Sequence, residues 1–381
     1  MTADPRAPRV LLLTSGPADG ADGADLRLTA DIVRGLPEVE FTRFTRWPPR
    51  AGSARAGPPV AGPPPPQPTA AAGRTLPIVS WDGAPHVPER LQAALTAAVV
   101  ARGTDLVHAV MTIGNGFPAY SRLRALLLGS TPVLHTVPGV LAPLLPARSR
   151  PLGTTVALSE TTARSLTGAG FRDVRVVAPM VPLDRWPRLP RPAGTPVVLV
   201  TGHHDPLGGA TDAVDAAGIA ARAGARFRLV LALRSRPGQD PEGPAESLLA
   251  RAHAAGLPDV QVRGYVDDMP SLMASAHTLL LPPTILGGRA DIPYSVLQAL
   301  ATGRPVILTD MPQFADLGDA VLRAPPGDTL RLGLLLAWLL DQPRCWEMLA
   351  ERGRRTVEER FAPDRFAAQY RDLYRELLAW D

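Results

Sequence analysis

The 381-residue sequence predicts an α/β protein made of two doubly wound, parallel-sheet domains. Three observations carry that prediction. Strand-like apolar runs alternate with helix-like runs over most of the chain. A proline-punctuated bridge, PLDRWPRLPRPAGTP at 182–196, divides the alternation into two comparable series. The chain is also long for one core and comfortable for two.

In the first series, RVLLLTS (9–15) reads as a buried strand. The loop GPADGADGAD follows, from Gly16 to Asp25, and its glycine spacing is not that of the dinucleotide fingerprint. LRLTADIVRGL reads as a helix and EVEFTRFT as a strand. From 48 to 74 the composition turns to proline, glycine and alanine. Such a segment favours an extended, solvated chain and is expected to be an insertion, either a linker or a flap over an acceptor site. The alternation resumes with helix ERLQAALTAAVVAR, strand DLVHAVM and helix FPAYSRLRALLLG, which its glycine ends. Strands TPVLHTVPG and TTVALS come next. Ser159, last in the second of these, is placed to cap helix ETTARSLTGAG, and strand VRVVAPM closes the series.

The second series opens with strand VVLVTG (197–202) and helix ATDAVDAAGIAARAG. RFRLVLAL, AESLLARAHAAG, VQVRGYV, MPSLMASA and TLLLPP continue it as strand, helix, strand, helix, strand. In DIPYSVLQALATGRPVILTD (291–310) a helix is expected over 294–302, stopped by Gly303 and followed by a buried strand. The tail TVEERFAPDRFAAQYRDLYRELLAW reads as an amphipathic helix broken near Pro363. The expected domains are therefore 1–185 and 190–360, with a terminal helix at 361–381 returning to the first. Open α/β sheets bind ligands at the carboxyl ends of their strands, where strand order reverses. With two such domains facing each other, the ligand belongs in the cleft.

Net charge is +4, and every one of the 40 cations is an arginine, because the chain contains no lysine. No basic block with interleaved aromatics appears, so nucleic-acid binding is set aside. No apolar run approaches the ~20 residues of a membrane span. The start lacks the layout of a signal peptide. Cys345, the single cysteine, excludes an internal disulfide. A cytoplasmic protein is expected, with peripheral contact to an acidic membrane face left open by the basic balance.

GYVDDMPSLMASAHTLLLPP, DIPYSVLQALATGRPVILTD and FAAQYRDLYREL together resemble the two-domain glycosyltransferases of the GT-B fold. The likeness is greatest to the retaining group called family 4, or glycosyl transferases group 1. It covers the whole order of elements apart from the proline-rich insertion, and its specific part is 264–310. The resemblance implies transfer of a sugar from a nucleotide sugar to a small-molecule or glycan acceptor, in specialised-metabolite or glycan biosynthesis. It implies retention of configuration, with no metal and no cofactor.

The residues suggest a donor site independently. LGGRADIPYS places Gly287, Gly288 and Arg289 ahead of a helix beginning near Tyr294 and Ser295. Backbone N–H groups at a helix start, with the positive end of its dipole, form an anion site. Relatives carry two glutamates, which fall here on Ala290 and Gln298. Gln298 is the ribose candidate, since an amide still accepts and donates. Asp291, beside Ala290, is a catalytic candidate. The relatives' arginine and lysine for the diphosphate fall on His203 and Gly208. His203 is kept as a candidate, with Arg234 and Arg236 as bidentate phosphate ligands and Gly16 at the border of the site. In the first domain the relatives' histidine falls on Pro138. His135, three residues earlier, is the catalytic candidate, with a core histidine as its alternative; His108 reads as core. Asn115 and Gly116, after a strand, are acceptor candidates. HHD (203–205) offers no partner cluster with ligand spacing, so no metal is expected. Two further readings stay open: a catalytically silent GT-B protein that binds a sugar nucleotide or partners an active enzyme, and, more weakly, an epimerase.

Overall fold

The computed structural model describes residues 7–14, 24–47, 73–79, 87–140, 146–204, 208–235, 242–286 and 290–379. The chain forms two compact units. Unit 1 comprises Met1–Leu158, Ala163–Val177 and Phe366–Asp381; unit 2 comprises Ser159–Thr162 and Ala178–Arg365.

Unit 1 holds a seven-stranded sheet in the order β3-β2-β1-β4-β5-β6-β7, every pairing parallel. The strands are β1 (Arg9–Thr14), β2 (Glu40–Trp47), β3 (Gly73–Val79), β4 (Leu106–Val110), β5 (Val133–Val137), β6 (Thr154–Ala157) and β7 (Val174–Val176). Helices α1 (Ala24–Gly35), α2 (Val87–Ala101), α3 (Phe117–Leu128) and α4 (Glu160–Gly168) follow their strands as the alternation predicts. β3 takes up Gly73 and Arg74, pairing from Phe41↔Gly73, so the ordered sheet begins inside the segment read as an insertion. The remainder of that segment, 48–72, lies outside the described residues. One sheet face packs Leu11, Val107 and Val133 against Ala97 and Ala101 of α2 and Phe117 of α3.

Unit 2 holds a six-stranded parallel sheet in the order β10-β9-β8-β11-β12-β13. Its strands are β8 (Val197–His203), β9 (Arg228–Arg234), β10 (Val260–Arg263), β11 (Thr278–Leu281), β12 (Val306–Thr309) and β13 (Leu322–Ala324). Its helices are α5 (Ala210–Arg222), α6 (Glu242–Ala254), α7 (Met269–Ser275), α8 (Tyr294–Ala301), α9 (Thr329–Asp341) and α10 (Pro343–Arg360), with a 3-10 segment at Pro312–Ala320. Successive strand residues point to opposite faces. Leu199, Leu279 and Leu308 accordingly pack with Val296, Leu297 and Leu300 of α8. Val198, Leu280 and Ile307 pack on the other face with Val214 of α5 and Leu336 of α9. A parallel sheet buried on both faces needs such continuous aliphatic strands.

α11 (Pro363–Leu378), the last helix, is joined to unit 1 by polar bonds in the core. His108 Nδ1 pairs with Tyr374 Oη at 2.7 Å and its Nε2 with Thr136 Oγ1 at 2.8 Å. Thr136 Oγ1 meets Tyr370 Oη at 3.0 Å. All four side chains are fully buried, and burial pushes the His108 imidazole down to about 3. The ring is therefore neutral, with each nitrogen matched to a hydroxyl.

Candidate functional site

Strand order in unit 2 reverses between β8 and β11, the place where an open α/β sheet takes its ligand. The backbone after β8 is shaped by two glycines there. Gly202 has φ +149° and Gly209, the N-cap of α5, has φ +84°. A Cβ on Gly209 would overlap the carbonyl of Pro282, which follows β11. Only glycine lets the helix start come so close to the neighbouring strand end. Gly209 has no side chain with which to cap the first amides of α5.

Polar groups gather beside this turn. Thr201, 6% exposed, has a buried hydroxyl with no hydrogen-bond partner among the described residues, and the buried Nδ1 of His204 also has none there. Buried polar atoms are normally paired, so two orphans so near one strand terminus make this end a candidate for a ligand. His203 ends β8 in register with Arg234, which ends β9; both are half-buried and both already make contacts in the chain. Burial lowers the proton affinity of His204. Asp212, in the first turn of α5, has its proton affinity raised by burial and by the charge of Asp215. Thr309 Oγ1 donates to Pro283 O at 2.6 Å and fixes the end of β11 to that of β12.

The start of α8 is more closed than its sequence suggests. Ala290, Asp291, Ile292 and Tyr294 are buried, leaving Pro293 and Ser295 half-exposed; no side chain caps this end. The helix stops as predicted, with Thr302 as C-cap and Gly303 at φ +75°. Gln298, assigned above to a ribose, is 3% exposed and already makes a contact in the chain.

Asp291 is corrected from a catalytic group to a positioning one. It is 3% exposed, and its Oδ2 accepts from Ser159 Oγ at 2.8 Å. Ser159 Oγ in turn accepts from Thr162 N at 3.1 Å, the helix cap expected from sequence. Burial pushes Asp291 up to about 6, with the Ser159 and Thr162 bonds opposing that rise. The pair pins the backbone leading into α8; its carboxylate does not open to solvent.

His135 is likewise corrected. It lies in the middle of β5, is 0% exposed and stacks on Phe117 at 5.2 Å. Its Nε2 donates to Met111 O at 3.1 Å, and burial lowers it to about 4. It is enclosed within the sheet, although its Nδ1 is left without a partner among the described residues. Asn115 and Gly116 are exposed in the turn before α3, at the carboxyl end of β4. Gly16, Arg236, Gly287, Gly288 and Arg289 lie outside the described residues.

Sequence reasoning passed over Thr201, whose signal is a lone hydroxyl at the end of an aliphatic strand. It also passed over Arg43. That half-buried arginine of β2 lines a cavity of about 50 Å³ with Leu12, Thr14, Leu26, Thr29, Ala30 and Phe44, and its Nε has no partner. Alternation in EFTRFTRW was the available hint. Among the described residues, no group of three or more His, Cys, Asp or Glu side chains is arranged to hold a metal ion.

Two units, each a doubly wound parallel sheet, are the parts of which the GT-B fold is made. Residues 195–342, which lie within unit 2, match the family model described as Glycosyl transferases group 1. At 97% coverage of this chain and 100% of the other, the fold is similar to HepE from Anabaena, crystallised with UDP-glucose (TM-score 0.72, 14% identity). It is also similar to sucrose-phosphate synthase from Thermosynechococcus elongatus (TM-score 0.71, 17% identity, 99% and 100% coverage). In sequence, 144 residues are 26% identical to an MMP alpha-(1->4)-mannosyltransferase of Mycolicibacterium hassiacum. That alignment takes in 37% of this chain and 34% of the mannosyltransferase.

Proposed function

We propose that this protein transfers a sugar from a nucleotide sugar to an acceptor, with retention and without a metal ion. The observation that carries the reading is the pair of unpartnered buried polar atoms, Thr201 Oγ1 and His204 Nδ1, at the β8/β11 switch point of a group 1 domain. A diphosphate seated there would meet the first amides of α5 and the positive end of its dipole. The Thr201 hydroxyl would donate to it, and the Arg234 guanidinium beyond β9 would offset charge as the leaving group departs. His203 would add a second donor. UDP is the first nucleotide to try, because HepE was crystallised with it. With Asp291 and His135 enclosed, the departing phosphate itself takes the acceptor's proton, and the exposed turn at Asn115 and Gly116 of unit 1 is the candidate for acceptor binding.

A panel of nucleotide sugars incubated with the protein tests this directly. Release of nucleoside diphosphate from one donor, unaffected by EDTA, is expected; anomeric analysis of the product by NMR reads the stereochemistry. A second reading has its own support: Ala290 stands where relatives carry a carboxylate, and Gln298 is enclosed. On that reading the protein binds a sugar nucleotide without turning it over. Thermal stabilisation by UDP with no release over many hours would decide for it, since a ligand that binds the folded state alone raises stability.

A further inference from the structure

α2 and α3 are apolar on both sides. Their inner faces bury Ala97, Ala98 and Ala101, and Phe117 and Leu128. A surface helix ordinarily turns a polar face to water. The outward face of α2 instead presents Leu91, Leu95 and Val99, at 58%, 55% and 70% exposure and at helical spacing of four. α3, which packs beside α2, presents Leu123 and Leu126 at 50% and 73%. Single exposed aliphatics are ordinary, but five on two adjoining helices make a patch of the kind that marks an interaction site.

The charges bordering the patch select its occupant. Arg102 is exposed one turn beyond Val99, and Arg122 is exposed beside Leu123. After Glu89 in the first turn of α2, neither helix contains an acidic residue. A second copy meeting this face would bring no acidic residue on α3 to pair with these guanidinium groups. An anionic bilayer meets both parts of the face: its interface accepts the aliphatic side chains, and its headgroups attract guanidinium groups. Among the described residues no helix is long and apolar enough to cross a membrane, so contact is confined to the surface. We infer that the α2–α3 face is a docking surface for anionic lipid bilayers.

A second apolar stripe provides the control. Leu330, Leu334 and Trp338 are exposed along α9 of unit 2, but that helix follows Asp328 and ends at Asp341. Co-sedimentation of the full chain with extruded phosphatidylcholine vesicles, with and without 30% phosphatidylglycerol, reads the interaction. Binding to the anionic vesicles alone is expected, weakening as salt is raised. Leu95→Glu with Val99→Glu should weaken it at least tenfold, and Leu123→Glu on α3 should act in the same direction. Arg122→Gln should weaken it about fivefold. Leu334→Glu should leave it unchanged. Melting temperatures of these surface variants serve as the folding control. Failure of the unaltered protein to sediment, or equal weakening by Leu334→Glu, overturns the proposal. So does a dimer that Leu95→Glu dissociates, which would give the face to a second copy.

Discussion

Two groups of polar side chains, one in each unit, are treated in opposite ways. In unit 1, His108, Thr136, Tyr370 and Tyr374 satisfy one another completely. In unit 2, Thr201 and His204 end a strand with atoms that satisfy nothing. A closed network in a low-dielectric core holds elements in one arrangement. Open valences at a strand end lose free energy in the empty protein and regain it when a ligand arrives. The first pattern is that of a joint; the second is the one expected of the seat proposed above.

Acid should separate the two units most strongly. His108 is held at about 3 and His135 at about 4, below the ordinary value, so the unfolded chain binds protons that the folded one refuses. Their contribution is complete above pH ~6.5 and lost as pH falls toward those values, at about 1.4 kcal/mol per pH unit for each imidazole. Asp291 runs the other way. Raised to about 6, it takes up a proton more readily when folded, so between about 4 and 6 its effect on unit 2 is stabilising as pH falls. Hydrogen exchange followed by peptide between pH 7 and 4.5 should show unit 1 loosening first. Uniform loosening would erase the distinction.

Gly209→Ala should come next. It forces a side chain into a left-handed backbone, worth about 1–2 kcal/mol, and into the Pro282 carbonyl as well. Urea melts should lose at least ~2 kcal/mol, and UDP should no longer shift the melting temperature. Tyr374→Phe should cost about 1–3 kcal/mol, because it strands the buried Nδ1 of His108, yet it should leave nucleotide affinity intact. Thr201→Val should do the reverse and by the smallest amount. Stability should hold or rise slightly, since no bond is lost, while UDP affinity measured by calorimetry falls about five- to tenfold, the worth of one hydrogen bond. A drop in stability with unchanged affinity would make Thr201 ordinary core.

Much of the architecture was legible because parallel strands buried on both faces read as plain aliphatic runs, as in VVLVTG and RFRLVLAL. The caps were legible too: Ser159 before α4 and Gly303 after α8 act through local backbone chemistry. β3 was hidden because its sequence, GRTLPIV, continues a proline-rich stretch and pairs with β2 across a long separation. α9 was hidden because its leucines occupy both faces, which blurs the helical period. The candidate site was read less well. Spacing brought Asp291, Gln298 and His135 forward, but spacing carries no information on burial, and all three are enclosed. Thr201 and Arg43 matter through the absence of a partner, a property that exists only once the chain is folded.

The arrangement of α11 bears on the order in which the protein is made. Tyr370 and Tyr374, which complete the core of the first unit, lie within the last dozen residues of a 381-residue chain. A ribosome must finish the whole of unit 2 before unit 1 receives its closing helix. During synthesis the His108 imidazole therefore waits without the Tyr374 hydroxyl, and the amino-terminal sheet becomes final only after unit 2 has been made.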